Sequence, residues 1–278
     1  MAKDQQRFSI SVLATDLDGT FFPLATHDEN VSDLDRIGAL LRDHDIDLFY
    51  VTGRSYPHVV KGIVQHSPPL PSTIICDVGT TIMHRHRDDT ADVSDQFILD
   101  TDYQTHLRDI LGHWSNQRIQ QTLTEADRRI IPQSDEHQSE LKTSFHYPPA
   151  DRSEIASVVE QLIDRNKIPV SITISVDPFT DQGLLDLLPA GANKGYALRW
   201  WLTQQTIDPL AVVFAGDTGN DTAAMNCGVR GILVANADDQ LRTAAKNHHR
   251  GTDNTLYQST TRATSGVLEG LRHYLQTS

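Results

Sequence analysis

The sequence predicts an α/β protein: a doubly wound parallel sheet covered by helices, with a second, smaller α/β layer inserted as a cap. Short apolar runs recur along the chain, each followed by a turn and an amphipathic stretch, the pattern of strand–helix alternation around a parallel sheet. Between residues 84 and 184 the texture becomes polar and charged before that alternation resumes, which marks an insertion. Two of the apolar runs end in corners rich in aspartate and glycine, where an open parallel sheet gathers its ligands.

The first apolar run, residues 10–15, stops at Asp16 and is too short for a membrane span, so it reads as a buried strand. A helix follows over 31–42. Residues 46–51 repeat the buried-strand pattern and end in Thr52-Gly53-Arg54-Ser55, with Ser55 placed to cap a helix running to about residue 65. A third strand is predicted at 73–76, and runs at 211–215 and 231–235 repeat the pattern late in the chain. The core is therefore expected to comprise residues 1–83 and 185–278, and the cap residues 84–184. Within the cap, 141–147 and 170–176 alternate apolar and polar residues on either side of a helical stretch at 152–166. That predicts a half-exposed antiparallel sheet with helices on one face. Residues 247–261 are polar enough to read as a long surface loop. The last helix, 265–275, is signalled by the spacing of Val267, Leu268, Leu271 and Leu275.

Composition excludes several functional classes. A chain of 278 residues can bury a sizeable core. Asp and Glu (37) outnumber Lys and Arg (24), and the formal charge of −13 argues against neutralising nucleic-acid phosphates or anionic lipid. Neither a nucleic acid nor a membrane is an expected partner. Cys76 and Cys227 have no metal-type spacing, and the first residues carry no export signal, so a cytoplasmic location is expected.

Chemistry concentrates at the acidic corners. Asp16-Leu17-Asp18-Gly19-Thr20 sets two carboxylates two residues apart where a strand meets a glycine, and strand alternation predicts both on one side. Gly216-Asp217-Thr218-Gly219-Asn220-Asp221 adds two more at the end of another strand. If the strands are neighbours, four acids converge, and each like-charge pair at about 4 Å costs on the order of 4 kcal/mol at an effective dielectric of 20. A hard divalent cation bound through oxygen is the simplest compensation, and Mg²⁺ leaves a position for a substrate phosphate. Thr52-Gly53 supplies hydroxyl and backbone donors at a third strand end, and Lys194 places an ammonium before a helix. Both suit phosphate.

Taken together and in order, these four motifs resemble those of the haloacid dehalogenase superfamily of phosphotransferases. An insertion between the second and third motifs is similar to the branch with an α/β cap. More narrowly, the chain resembles the sucrose-phosphate phosphatases in His27-Asp28-Glu29-Asn30, Asp77-Val78-Gly79-Thr80, Lys142-Thr143-Ser144-Phe145 and Leu185-Asp186-Leu187-Leu188-Pro189. The resemblance implies a Mg²⁺-dependent sugar phosphatase in which Asp16 is the nucleophile and Asp18 the acid and base. It further implies Asp16, Asp18, Asp217 and Asp221 around the metal, and Thr52, Gly53, Lys194 and Asn220 around the phosphate. Lys142, Ser144, His146, Asp186 and Thr80 are the expected sugar contacts. Sucrose 6-phosphate or a related glycosyl phosphate is the expected substrate, and a sugar-phosphate synthase the expected partner. A phosphohexomutase of the phosphomannomutase type and a non-catalytic sugar-phosphate-binding subunit are the alternatives.

Other conspicuous residues are read as structural. His84-Arg85-His86-Arg87 is expected to be a solvated hinge at the entry to the cap, and His248-His249 part of the surface loop. Trp201 shares a helical stripe with Ala197, Leu198 and Leu202 and is expected in the core. Cys227 is expected to be a buried small residue.

Overall fold

The computed structural model describes residues 9–25, 27–86, 92–176, 180–252 and 255–277. The chain divides into two compact units, Met1–Leu99 together with Asn193–Ser278, and Asp100–Ala192. The first unit begins with β1 (Val12–Thr15), a tight turn (Leu17–Phe21), α1 (Asp28–Asp43), β2 (Asp47–Val51), α2 (Tyr56–His66), β3 (Thr73–Cys76), β4 (Thr81–Arg85) and β5 (Phe97–Leu99). The second contains α3 (Thr101–Leu111), α4 (Asn116–Ala126), β6 (Ile131–Pro132), β7 (Thr143–Tyr147), α5 (Arg152–Asn166), β8 (Val170–Val176) and β9 (Gly183–Pro189). The chain then completes the first unit with α6 (Lys194–Gln204), β10 (Val212–Gly216), α7 (Thr222–Met225), β11 (Arg230–Leu233), α8 (Asp239–His248), β12 (Leu256–Gln258) and α9 (Ala263–Thr277).

The eight strands of the first unit form one sheet in the order β12-β11-β10-β1-β2-β3-β4-β5. The six from β12 to β3 are parallel, and β4 and β5 add an antiparallel edge. Because β1 is hydrogen-bonded on both sides and covered on both faces, all four of its residues are buried, which is why its sequence is a continuous apolar run. On one face Leu13, Tyr50, Ile74, Val213 and Ile232 pack with Leu34 and Ile37 of α1 and Val267 and Leu271 of α9. A buried polar tie joins the same two helices. The Asn30 amide donates to Ser265 Oγ (2.7 Å), whose hydroxyl donates to Asp33 (2.6 Å).

The division of the chain differs from the expected boundaries at residues 84 and 185. Residues 81–85 and 97–99 pair with β3 and with each other (Ile75↔Ile82, His84↔Ile98), so they extend the main sheet. Residues 183–189 instead pair in the second unit's own sheet. The expected hinge at His84 is therefore strand, with His84 stacked on Trp201 (4.2 Å between ring centroids), while Arg87 lies outside the described residues. Residues 247–261 are also not wholly loop, since 256–258 form an edge strand on β11. Ser55 precedes α2 as expected, but its hydroxyl meets His58 Nδ1 (2.7 Å) and does not cap the helix. Burial pushes the Cys227 thiol up to about 11, as suits an inert small residue.

The second unit carries a four-stranded antiparallel sheet, β6-β7-β9-β8. Its register puts Ser144 opposite Asp186 and Asp186 opposite Thr173, so these three share one face, joined by His146 and Ser175. Phe145, Leu185 and Leu187 point to the other face and are fully or almost fully buried. Among the described residues no helix is long and apolar enough to cross a membrane.

Candidate active site

The chain leaves β1 towards β2 on one side and later returns to β10 on the other. Neighbouring parallel strands whose connections diverge in this way open a crevice at their carboxyl ends. Asp16 stands one residue beyond β1 and Asp217 one beyond β10, and the strands are locked in register by Thr15↔Ala215 and the hydrogen bond from Asp16 N to Ala215 O (2.9 Å). Lys194, the first residue of α6, inserts its ammonium between the two corners. Its Nζ donates to Asp16 Oδ1 (2.7 Å), Asp221 Oδ1 (2.7 Å) and Asn220 Oδ1 (3.2 Å). Oxygens of Asp16, Asp217 and Asp221 lie within 4.8 Å of one another.

These groups are withdrawn from water. Lys194 and Asp221 are fully buried, and Asp16 is only 4% exposed. Burial raises the Asp16 carboxyl well above its ordinary value; Lys194 opposes this, and Asp221 and Asp217 add to it. Burial lowers the Lys194 ammonium, but Asp16 and Asp221 outweigh that effect and hold it raised and charged. Asp217 is pushed up to about 7, first by burial and then by the charge of Asp221. Among the described residues, three buried acids thus share a single buried ammonium. The donor set is all oxygen and short of positive charge, a chemistry that fits a hard divalent cation.

Local geometry fixes each carboxylate. Asp221 accepts from its own loop, from the amides of Asp217 (3.1 Å) and Thr218 (3.2 Å). Thr20 donates its hydroxyl to Asp217 (3.2 Å), and the Asn236 amide reaches both Asp217 (3.4 Å) and Gly19 O (2.7 Å). Gly19 makes this arrangement possible: its φ is +72°, and a Cβ there would lie 2.1 Å from Asp217 Oδ2. Gly19→Ala is therefore expected to lose about 2 kcal/mol or more of stability, since left-handed strain alone costs ~1–2 kcal/mol and the clash adds to it. Weaker binding of Mg²⁺ should accompany the loss, as measured by thermal denaturation and metal titration.

Not every expected residue joins the cluster. The carboxylate of Asp18 does not sit with the other three. Arg54 grips it through two hydrogen bonds, Nε to Oδ2 (2.7 Å) and Nη2 to Oδ1 (2.5 Å). The strand ends at Thr15, and a turn with Gly19 in the left-handed region follows, so strand alternation no longer governs where Asp18 points. Arg54 is itself seated over the Phe22 ring (5.2 Å) and donates to His58 O (3.2 Å). Sequence reasoning missed Arg54, Thr20 and Asn236. Only Arg54 carried a usable signal, as a cation directly after Thr52-Gly53.

Thr52 is buried at the end of β2, where its Oγ1 accepts from Arg54 N (3.2 Å). Asn220 is exposed and accepts from Lys194 and from the Thr218 hydroxyl (2.8 Å) through its carbonyl oxygen. Thr80, expected to touch sugar, turns inward: it is fully buried and donates to Asp77 O (3.0 Å) within its own turn. In the second unit, Ser144 donates to Asp186 (2.6 Å), and Lys142 is 6% exposed just before β7.

Comparison with known proteins identifies the family. The family described as sucrose-6F-phosphate phosphohydrolase matches residues 10–275. A HAD-like hydrolase of Nitrosococcus oceani is 32% identical over 286 residues, covering 95% of this chain and 71% of that protein. Mannosylfructose-phosphate phosphatase of Agrobacterium fabrum is 30% identical over 266 residues, covering 95% of this chain and 97% of that protein. Among solved structures, the sucrose-phosphatase of Synechocystis sp. in complex with sucrose and phosphate superimposes with a TM-score of 0.74 at 25% identity, over 96% of this chain and 98% of that one. The chain belongs to the sucrose-6F-phosphate phosphohydrolase family of haloacid dehalogenase-type hydrolases, and is a phosphoric monoester hydrolase.

Proposed function

We propose that this protein is a Mg²⁺-dependent phosphatase that hydrolyses a glycosyl phosphate, sucrose 6-phosphate or a related disaccharide phosphate, through an aspartyl-phosphate on Asp16. The observation that carries this reading is the charge balance at the sheet crevice. Asp16, Asp217 and Asp221 are buried within 4.8 Å of one another, with Lys194 as the ammonium between them. A divalent cation held by these three acids offsets the deficit and, when bound, supplies Lewis-acid stabilisation of charge on the phosphoryl group.

The chain's own groups have the following tasks. Asp16 attacks phosphorus as the bond to the sugar oxygen breaks, and water then cleaves the acyl phosphate. Lys194 holds Asp16 in place and offsets charge on the phosphoryl oxygens. The Thr52 hydroxyl, the Gly53 amide and the Asn220 side-chain amide hold the non-bridging oxygens of the phosphoryl group. Asp18 protonates the leaving sugar oxygen and then takes a proton from the attacking water. To do so it leaves the two-bond grip of Arg54, whose side chain is 29% exposed against 59% for Asp18.

The polar sheet face of Ser144, His146, Asp186 and Thr173, with Lys142 in step, offers donors and acceptors suited to a polyol leaving group. Two of the similar proteins are phosphatases whose names specify disaccharide phosphates, which supports the same class of substrate here. A glycosyl-phosphate synthase is the source such a substrate requires.

The test is phosphate release from a panel of hexose and disaccharide phosphates, with Mg²⁺ and after its removal by chelation. Disaccharide phosphates are expected to give the highest kcat/KM, and chelation to abolish release. Isomerisation of a hexose 1-phosphate without phosphate release would establish a mutase instead. Tight binding without turnover at millimolar Mg²⁺ would establish a binding subunit.

A further inference from the structure

We propose that the turn Asp77-Val78-Gly79, at the end of β3, is a positioning wedge that fixes the spacing between two phosphate-holding arms, Thr52 and Lys194. The proposal rests on the roles given to those two residues above.

Three consecutive residues of this turn have positive φ: +51° at Asp77, +60° at Val78 and +96° at Gly79. A glycine accepts such a backbone readily, whereas a valine there is a pronounced outlier because its branched Cβ crowds the carbonyl. Strain of this kind persists where surrounding contacts over-determine it. The contacts are on both sides. Towards β2, Asp77 N donates to Arg54 O (2.8 Å) and Val78 N to Thr52 O (3.3 Å). The side-chain atom that faces Gly53 is Val78 Cγ2, 3.9 Å from where a Cβ on Gly53 would stand, so the valine methyl points at the residue next to Thr52. Towards α6, the backbone of Gly79 lies directly against residues 193 and 194. A Cβ on Gly79 would fall 2.4 Å from the carbonyl carbon and oxygen of Asn193 and 2.7 Å from Lys194 N.

The turn is also braced internally. Thr80 donates through both its amide (3.2 Å) and its hydroxyl (3.0 Å) to Asp77 O, and the Thr81 hydroxyl donates to Asp77 Oδ2 (3.2 Å). Joining β3 to β4 does not by itself require a valine in the left-handed region, since Asn-Gly or Gly-Gly turns reverse a hairpin without that strain. What the valine adds is a stiff β-branched side chain facing the Thr52-Gly53 corner, while Gly79 keeps the opposite side thin enough for α6 to approach. The wedge thus holds the Thr52 hydroxyl and the Lys194 ammonium at one separation before phosphate arrives, which is preorganisation of a binding site.

The test compares Val78→Gly and Val78→Thr with the parent, using inorganic phosphate as probe in calorimetric titration with Mg²⁺ present, together with steady-state kinetics and thermal denaturation. Val78→Gly relieves the backbone strain and is expected to melt no lower than the parent. It should nonetheless bind phosphate about tenfold more weakly and raise KM more than it lowers kcat. Val78→Thr keeps the branch and one methyl and should bind phosphate within about twofold of the parent. If Val78→Gly binds phosphate as the parent does, or loses affinity only together with a fall in Tm, the wedge is refuted. Thr52→Ala and Lys194→Met, titrated with the same probe, separate the two levels of argument. If both leave phosphate affinity unchanged, the phosphate-binding assignment fails and the wedge fails with it; if both weaken it while Val78→Gly does not, the wedge alone fails.

Discussion

Replacing Asp16 by asparagine is expected to abolish phosphatase turnover, by on the order of 10⁴-fold or more, while the protein stays folded. Asparagine has the same shape but no charge, and its amide oxygen can still accept from Lys194, which sits 2.7 Å from Asp16 Oδ1. Lys194 also keeps its bond to Asp221 at 2.7 Å, so the buried ammonium is not orphaned. Asp221 and Asp217 repel the charge on Asp16, so its loss in the metal-free protein is not expected to lower Tm greatly. Nucleophilicity is a different matter, because the amide cannot form or release an acyl phosphate. Weaker binding of Mg²⁺ should follow as well, since one of three acidic donors is gone. Phosphate release, circular dichroism melting and direct binding of the sugar phosphate separate these effects. Full turnover by Asp16→Asn would remove the nucleophile from the mechanism and the proposed reaction with it.

The extent to which this site could be read in advance follows from how local each signal is. The strands before Asp16 and Thr52, and the one ending in Gly216, are continuous apolar runs because they are interior to a sheet covered on both faces, and such runs stand out in a sequence. The strands β4 and β5 are antiparallel and near an edge. Their residues His84, Arg85, Ile98 and Leu99 are partly or well exposed, so polarity and hydrophobicity there follow neither template cleanly. Asp18 illustrates a period carried one step too far. Alternation holds to Thr15 but not through a turn with Gly19 at φ +72°, and the carboxylate ends in the fork of Arg54. The hydroxyl of Thr80 donates to the carbonyl of Asp77, a local bond that sequence spacing does not disclose. Asn236 is invisible from sequence for the opposite reason. It acts on Gly19 and Asp217, residues 217 and 19 positions away, and accepts from Ala263 N (2.9 Å) from a third part of the chain.

Lys194→Met should show most directly that the crevice is built around a charge deficit. Methionine matches the length of the buried stem, so the substitution removes the ammonium more than it removes volume. In the metal-free protein the acidic cluster then loses the buried cation that the described residues give it, with bonds to Asp16 and Asp221 both at 2.7 Å. Breaking a buried pair by deleting one partner costs about 3–5 kcal/mol. For a chain of this size that corresponds to a fall in Tm of roughly 10 °C. Adding Mg²⁺ should restore more stability to the variant than to the parent. The ion meets a site one positive charge poorer, and binding to the folded state alone stabilises by RT ln(1 + [L]/Kd), about 2.7 kcal/mol at 100 times Kd. Turnover is expected to stay lost even when Tm recovers, because the ion does not replace the ammonium that orients Asp16 and meets the phosphoryl oxygens. Lys194→Arg should not rescue it, since a planar fork does not fit a fully buried position shaped for a single nitrogen between two carboxylates. If the metal-free variant melts with the parent, or if Mg²⁺ stabilises both equally, Lys194 is not the counter-charge of this site, and a divalent cation is no longer needed to balance Asp16, Asp217 and Asp221.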